Sequence, residues 1–209
     1  MMDYSKTGWL KHVLTHPFDG YEDLRWKKGG SLLISFVIVF FFFFRQLAMD
    51  RLIGFQYGVS YDKIFNVIPY IVSSILLYGM WVIANWAMCT LLDGEGTLKN
   101  IAINTAYALV PYIATSLIGI FLTHFFIQDE YVFIQTLEII GEAWTFVLLV
   151  SGMKAVHQYS FWKTILSMAL TVVAMICMLF LLILLLTLFQ QVIIFFLSIY
   201  TELTYRFRG

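Results

Sequence analysis

The apolar residues of this chain are gathered into blocks, and about five of these blocks are long enough to cross a lipid bilayer. A hydrocarbon core is ~30 Å thick, and an α-helix needs ~20 apolar residues to cross it. Hydrophobic residues occupy 61% of the 209 positions, and the charged residues, 12% of the chain, lie mostly between the blocks. The sequence therefore predicts an all-α fold, a polytopic transmembrane helical bundle of about five spans with an overlong C-terminal helix.

Charge and missing motifs exclude several classes of function. The net charge is zero, whereas a nucleic-acid-binding protein needs a basic surface. There is no phosphate-binding glycine loop ending in Lys-Ser/Thr, no Gly-x-Ser-x-Gly elbow and no visible nucleophile–base pair. His12 and His16 have helical spacing, but the Glu that a zinc protease requires does not follow His12. We therefore expect no enzymatic activity, no metal site and no cofactor.

The chain divides into three parts. Residues 1–28 are amphipathic, and we interpret them as two short interfacial helices, joined at His16-Pro17, whose apolar faces enter the headgroup layer. The alternative is an unstructured tail. Residues 29–200 are predicted to form the transmembrane domain, and residues 201–209 a short polar tail.

Polar interruptions mark the ends of the spans. Arg45 ends the clean apolar run of the first span, so it either snorkels to the interface or lies within a longer helix. Pro69 and Pro111 are expected to begin or kink a helix. Asp93-Gly94-Glu95-Gly96 is predicted to be a tight turn, because glycine accepts positive φ. The predicted spans are about 30–49, 67–92, 101–127, 132–150 and a last block centred on 164–200.

The distribution of Lys and Arg predicts the orientation. With five spans, an N-terminus on the inside gives the inside segments the larger share of basic residues, as the positive-inside rule requires. We therefore expect a cytoplasmic N-terminus and an outside C-terminus. The inside segments carry Lys6, Lys11, Arg25, Lys27, Lys28, Lys99, Lys154 and Lys163, and the outside segments carry Arg45, Arg51, Lys63, Arg206 and Arg208.

The last apolar block is too long for one crossing. From Met153 to Arg208 there is neither Gly nor Pro, so no turn residue is available for a hairpin. Residues 164–200 alone would make a helix on the order of 55 Å long. We expect one helix that projects past the membrane or bends near Gln190-Gln191. A 3-4-3-4 stripe suits either a partner helix or lipid contact, and it consists of Leu186, Phe189, Ile193, Phe196, Tyr200, Leu203 and Phe207.

A few polar residues fall inside the predicted spans. Glu138 and Glu142 share a helix face, and a carboxylate within a membrane is costly and often functional. The alternative is that both lie at the outer interface. Asn85 and Asn104 are expected to bond between helices, and His157 is expected in an interfacial connection.

Several segments also follow a recognisable pattern. Residues 16–24 contain Pro-x-x-x-aromatic-x-x-aliphatic, residues 93–99 form a glycine-rich turn, and residues 105–111 contain Tyr-x-x-x-Pro. Residues 157–163 (HQYSFWK) lead into the last span. From about His16 to Leu186 the chain resembles bacterial members of the Yip (Ypt-interacting protein) family.

The resemblance implies five spans, a cytoplasmic N-terminus and no enzymatic activity. Eukaryotic relatives engage Rab-type GTPases, but the N-terminal segment here is too short for that role to be carried over. Some bacterial members are encoded beside genes for sugar-importing ABC transporters. The resemblance thus implies an accessory subunit of the bacterial cytoplasmic membrane that contacts an ABC transporter permease.

Two functions remain open from the sequence. The first is a non-enzymatic accessory or scaffold protein that binds another membrane complex. The second is a small transporter or channel with a polar path near Glu142 and Asn85.

Overall fold

The computed structural model describes residues 5–58 and 65–208, and within these ranges the regular structure is helical. Lys63, the first four residues of the N-terminal segment and the last residue of the tail lie outside the described residues. A short 3-10 turn, Gln128–Glu130, precedes the seventh helix. The helices are α1 Lys6–Thr15, α2 Pro17–Trp26, α3 Leu32–Arg51, α4 Ile68–Leu91, α5 Leu98–Ala108, α6 Val110–Leu122, α7 Tyr131–His157 and α8 Phe161–Arg208.

Five helices, or helix pairs, are long and apolar enough to cross a membrane. They are α3, α4, α5 with α6, α7, and α8. The chain is a multi-pass membrane protein, and the prediction of about five spans with an overlong last helix is confirmed.

The N-terminal segment forms the two expected helices, but they do not lie flat on a membrane surface. Arg25 of α2 bonds to the carbonyl of Ala155, whereas the carbonyl of Leu14 accepts a hydrogen bond from Trp144. The α1–α2 hairpin therefore stands against roughly 17 Å of α7, at 1.5 Å per residue.

The apolar face of this hairpin packs on protein, whereas the sequence analysis expects it to face the headgroup layer. Val13 and Tyr21 are fully buried, and Leu24 is nearly so. The two helices approach closely at Gly20, where a Cβ would come within 2.8 Å of the Val13 Cα. The hairpin is an integral part of the bundle.

The third span is two helices. Pro111 stands in the first turn of α6, where its missing N–H costs no hydrogen bond, and α5 ends at Ala108. The freed N–H of Tyr112 donates to the Thr145 hydroxyl of α7 at 3.0 Å. Pro69 begins α4 in the same way. The expectation that each proline would begin or kink a helix is therefore met.

Helix α5 lies at the centre of the inner half of the bundle, where we define the inner half as the half that holds the N-terminal hairpin. Its residues from Ile103 to Ala108 are all buried. Helices α3, α4, α7 and the N-terminal hairpin surround it. Its buried residues are small or apolar apart from Asn104 and Thr105, and Asn104 donates to the Gly152 carbonyl of α7.

Helix α8 is continuous through Gln190-Gln191 and, at 48 residues, is about 72 Å long. Its first half packs against α4. From Ile183 onward its large apolar side chains are all exposed. The helix therefore leaves the bundle near Leu184 and continues alone for about 36 Å.

The inner end of the fourth span differs from the sequence prediction. Helix α7 does not end at Val150 but continues to His157, because its inner end packs against α2 and α5. It ends at Gln158, whose φ of 56° places this residue in the left-handed region without a glycine.

The contact between α6 and α7 generates a stability prediction. A Cβ at Gly141 would overlap the Thr115 side chain, so Gly141→Ala should destabilise the fold by about 1–3 kcal/mol. Gly79, in the middle of α4, is the matched control, because a Cβ there meets nothing within 4 Å. Gly79→Ala should be neutral or stabilising by up to about 1 kcal/mol. Unfolding in mixed detergent micelles measures both, and equal effects would contradict the packing described here.

Candidate functional site

The last 24 residues of α8, Leu185–Arg208, form an apolar surface without a partner among the described residues. We call this part the α8 extension. Its stripe residues are all exposed, from Leu203 at 49% to Phe207 at 87%. Side chains on the other faces of the extension are exposed as well. The structure thus presents the whole extension and does not by itself single out the stripe.

Helical geometry nevertheless distinguishes two sides of the extension. At 3.6 residues per turn, the stripe faces away from a narrow polar line. Ile193 and Phe196 lie on the stripe, whereas their neighbours Ile194 and Phe195 point away from it. The polar line consists of Thr187, Gln191, Ser198 and Glu202.

Three spans meet at a buried polar cluster near the inner end of the bundle. Asn85 of α4 is fully buried; its Nδ2 donates to the Thr171 hydroxyl of α8 at 3.2 Å. Its Oδ1 accepts a hydrogen bond from His157 Nε2 of α7 at 3.0 Å. Asn85 therefore bonds between helices, as the sequence predicts.

His157 is not interfacial as expected, since only 2% of it is exposed. Its ring stacks on Tyr159 with centroids 5.3 Å apart. Because Nε2 donates to Asn85, Nδ1 carries the lone pair, and it has no hydrogen-bond partner among the described residues.

The turn at residues 93–96 closes over His157 and Tyr159. Its positive φ, 57°, belongs to Asp93, and none of the described glycines has a positive φ, so the expected role of the paired glycines was wrong. They are needed for close approach instead. A Cβ at Gly94 would lie 2.5 Å from the Tyr159 hydroxyl, and a Cβ at Gly96 2.7 Å from His157 Nδ1.

Tyr159, in the connection between α7 and α8, holds this connection to the end of α4. Its hydroxyl donates to the carbonyls of Cys89 and Leu92, at 3.0 and 3.1 Å. Burial raises the pKa of Tyr159 to about 12. The phenol therefore stays protonated, and a hydrogen-bond donor, across the physiological range.

Arg25 joins the N-terminal hairpin to this end of the bundle. Its guanidinium donates to the carbonyls of Ala155 and Val156, at 2.7 and 2.9 Å, and pairs with Glu95 in the turn. It therefore satisfies carbonyls in the last turn of α7, which have no partner within their own helix.

Asn104 belongs to a second contact of the hairpin. The side-chain amide of Asn104 donates to the Gly152 carbonyl at 3.4 Å. The backbone carbonyl of Asn104 accepts a hydrogen bond from the Tyr21 hydroxyl at 3.3 Å. Burial, with the neighbouring Tyr107 adding to it, raises the pKa of Tyr21 well above its usual value. Tyr21 therefore remains a donor.

The two carboxylates lie elsewhere. Glu138 is half-buried beside Gly119 of α6, with its Oε1 3.3 Å from the position of a Cβ there, and Glu142 is exposed. Glu138 is 14 residues before Gly152 on α7, or about 21 Å along the helix. Glu138 and Glu142 therefore form one polar group and the two asparagines another, rather than one continuous line.

Arg45 is the basic partner near these carboxylates. Helix α3 runs on to Arg51, so Arg45 lies within the helix and not in an outside connection. Its Nε donates to the Ser116 hydroxyl at 2.7 Å, and its guanidinium lies 4.6 Å from the centroid of the Tyr112 ring. Arg45 also interacts electrostatically with Glu138.

No group of three or more His, Cys, Asp or Glu side chains that could hold a metal ion occurs within residues 5–58 and 65–208. The buried contacts of Asn85 and Asn104 consist of amides, hydroxyls and one imidazole, most of them hydrogen-bonded to each other or to backbone. Their geometry fastens helices together.

Comparison with known proteins gives a family. The model of the Yip1 domain matches residues 11–184. The chain belongs to the Yip1 domain family. No curated protein and no solved structure matches it. The family resemblance stated from the sequence is therefore confirmed, and the Yip1 domain includes the N-terminal hairpin from Lys11 onward.

The end of the match coincides with a structural boundary. The Yip1 domain ends at residue 184, where α8 leaves the bundle. The bundle and the α8 extension are thus separate by sequence family as well as by packing.

Sequence reasoning missed Arg25, His157 and Tyr159 as parts of one cluster. Arg25 was counted only as a basic residue of the inside segment, and His157 as an interfacial side chain. The available signal was the pair of glycines at 94 and 96, since glycines in a short connection also mark places where another chain segment approaches closely.

The buried cluster generates the second prediction. Asn85→Ala removes the partners of His157 and Thr171 together and should destabilise the fold by about 1–3 kcal/mol. Asn100→Ala, at an exposed position of α5, is the control and should change stability by less than about 0.5 kcal/mol. Detergent unfolding followed by tryptophan fluorescence checks this, and a neutral Asn85→Ala would refute the role assigned to the cluster.

Proposed function

We propose that this Yip1-domain protein is a non-enzymatic accessory or scaffold protein that binds another membrane complex through the α8 extension. The observation that carries the proposal is the exposure of all large apolar side chains from Leu185 to Phe207 on a helix that has already left the bundle.

The free energy of burying apolar side chains favours an α8 extension that is covered by another molecule. Leaving one large apolar side chain in water rather than burying it forgoes about 1.5–3 kcal/mol. The extension carries such side chains along its whole length. Contiguous apolar surface of this extent has to be covered by lipid or by another protein. A helix from another membrane protein offers apolar surface at the same depth.

The stripe fits such a partner. Its 3-4-3-4 spacing is the pattern by which two helices pack side by side. The stripe begins near the bundle with Leu186, Phe189 and Ile193. It continues farther out with Phe196, Tyr200, Leu203 and Phe207. The named partner is the permease of a sugar-importing ABC transporter, and its support is the resemblance to bacterial Yip-family members.

The proposed location is the bacterial cytoplasmic membrane, with the N-terminus cytoplasmic and the C-terminus outside. The basic residues at the inner end of the bundle support this orientation. Arg25, Lys27, Lys28 and Lys99 lie together there, near the end of α2 and the start of α5.

Copurification in mild detergent tests the proposal with a matched pair of variants. The double variant Ile193→Ala/Phe196→Ala should lower recovery of the partner on the order of tenfold, because central aromatic and aliphatic contacts dominate an interface. Ile194→Ala/Phe195→Ala deletes the same side-chain types from the other side of the helix and should retain the partner.

Mass spectrometry identifies what copurifies from the native membrane. We expect a membrane complex, with an ABC transporter permease in it. Recovery of the chain alone, or equal losses with both double variants, would count against partner binding through the stripe.

A small transporter or channel is the second candidate. The observation that favours it is the charged group inside the spans, in which Arg45 bonds to Ser116 and interacts with Glu138. Charged side chains within spans often mark ion or proton paths. The separation of Glu138 and Glu142 from Asn85 and Asn104 limits this path to the outer half of the bundle.

Flux in proteoliposomes decides this second candidate. If the carboxylates conduct, Glu142→Gln should abolish proton or cation flux, because it removes the charge while keeping the shape of the side chain. Glu202→Gln, on the α8 extension, is the control and should leave flux unchanged. If liposomes with the unaltered protein show the same flux as empty liposomes, the transporter hypothesis is wrong.

A further inference from the structure

A polar cavity of about 300 Å³ opens at the inner end of the bundle, between the end of α2 and the start of α5. Its floor is formed by buried residues, among them Leu24, Ile103 and Asn104. Exposed residues, among them Lys28 and Lys99, form its rim. The cavity therefore combines a fixed floor with a charged entrance.

The charges around this cavity are not balanced within the protein. Arg25 is already engaged by Glu95 and by two carbonyls of α7. Lys28 and Lys99 form no ion pair with any described residue. Lys27 differs from them, because its ammonium lies 2.9 Å from Asp23. The cavity thus has two uncompensated ammonium groups at its entrance.

Backbone geometry holds one of these lysines in place. Lys28 has a φ of 49°, in the left-handed region that few non-glycine residues adopt. This conformation turns the chain away from α2 towards α3, and Lys28 lines the cavity at that turn. Lys99 comes from the first turn of α5, on the opposite element.

The surroundings place the cavity at a membrane surface. Trp26 lines it and is 69% exposed. Trp162 at the same end of the bundle is 79% exposed. Tryptophan side chains that project from a membrane protein in this way are typical of the headgroup layer. The entrance therefore lies at the depth of lipid phosphates.

We propose that this cavity binds the phosphate group of an anionic phospholipid between Lys28 and Lys99. The volume is at the lower end of that of ligand sites, which suits a headgroup rather than a large ligand. Lysine ammonium groups bind phosphate as point charges. The cavity is at the opposite end of the bundle from the α8 extension, so this proposal does not depend on the proposed partner.

The test is binding of phosphatidylglycerol to the full-length protein in detergent, measured by native mass spectrometry and by titration. Lys28→Gln and Lys99→Gln should each weaken binding about threefold to tenfold. Lys27→Gln removes the same charge from a neighbouring position that does not line the cavity, and it should leave binding within about twofold. Glu95→Gln removes the carboxylate from the cavity and should strengthen binding.

Two further binding measurements identify the source of the phosphate. Phosphatidylcholine, whose phosphate charge is offset by its choline, should bind more weakly than phosphatidylglycerol and lose less affinity in Lys28→Gln. Soluble glycerol phosphate should bind weakly, because it lacks the acyl chains that hold a lipid beside the bundle. If glycerol phosphate binds as tightly as the lipid, the site binds a free phosphate compound, and the proposal of a lipid ligand is wrong.

Equal losses with Lys27→Gln, Lys28→Gln and Lys99→Gln would show diffuse surface attraction and overturn the site. So would an unchanged affinity in both cavity variants. Thermal unfolding of each variant in the same detergent distinguishes lost binding from lost folding, because the exposed lysines can be replaced without disturbing the buried floor.

Discussion

Hydrocarbon offers no hydrogen bonds, so each polar group that enters it must find its partner within the protein. This constraint explains why the described chain is helical in every long segment, and why most of its buried side-chain amides and hydroxyls have a hydrogen-bond partner. Asn85 bonds to two other spans, and Tyr112, whose backbone N–H is freed by the start of α6, finds Thr145. Where the third span is interrupted, a side chain of a neighbouring helix thus replaces the lost backbone bond.

The inner and outer halves of the bundle are built differently. In the inner half, α5 is enclosed, and Arg25 and Tyr21 of the hairpin bond to the backbone of α7 and α5. In the outer half, α6 and α7 pack through Gly141, and the charged group at Arg45 lies between spans. The inner half is thus held by the polar contacts of the hairpin, whereas the outer half combines close packing at Gly141 with polar contacts such as those of Arg45 with Ser116 and of Ser73 with Gln46.

The number of spans, the single last helix and the two N-terminal helices could be predicted from the sequence, because each depends on block length and on turn residues. The position of the hairpin could not, because its amphipathic pattern is the same whether the apolar face meets lipid or protein. His157 was misplaced for a related reason: a polar residue near a span end is expected at the interface, and only the three-dimensional contact with Asn85 shows that it is buried. Gly94 and Gly96 were recognised as special, but for φ rather than for the close approach that requires them.

The α8 extension follows a different rule from the rest of the molecule. Inside the bundle, each apolar face has a protein neighbour or faces the lipid that a span of about 20 residues would meet. Between its start and Leu184, α8 is already long enough for one span, and this part packs against α4. The helix nevertheless continues for 24 more residues, Leu185–Arg208, with its apolar character unchanged. A polar line through Thr187, Gln191 and Ser198 opposite the stripe gives the extension one side suited to water and a broad side that is not. A long helix with such a division is stable only when the broad side is covered, so this segment, which lies beyond the Yip1 match, needs lipid or another protein against that side.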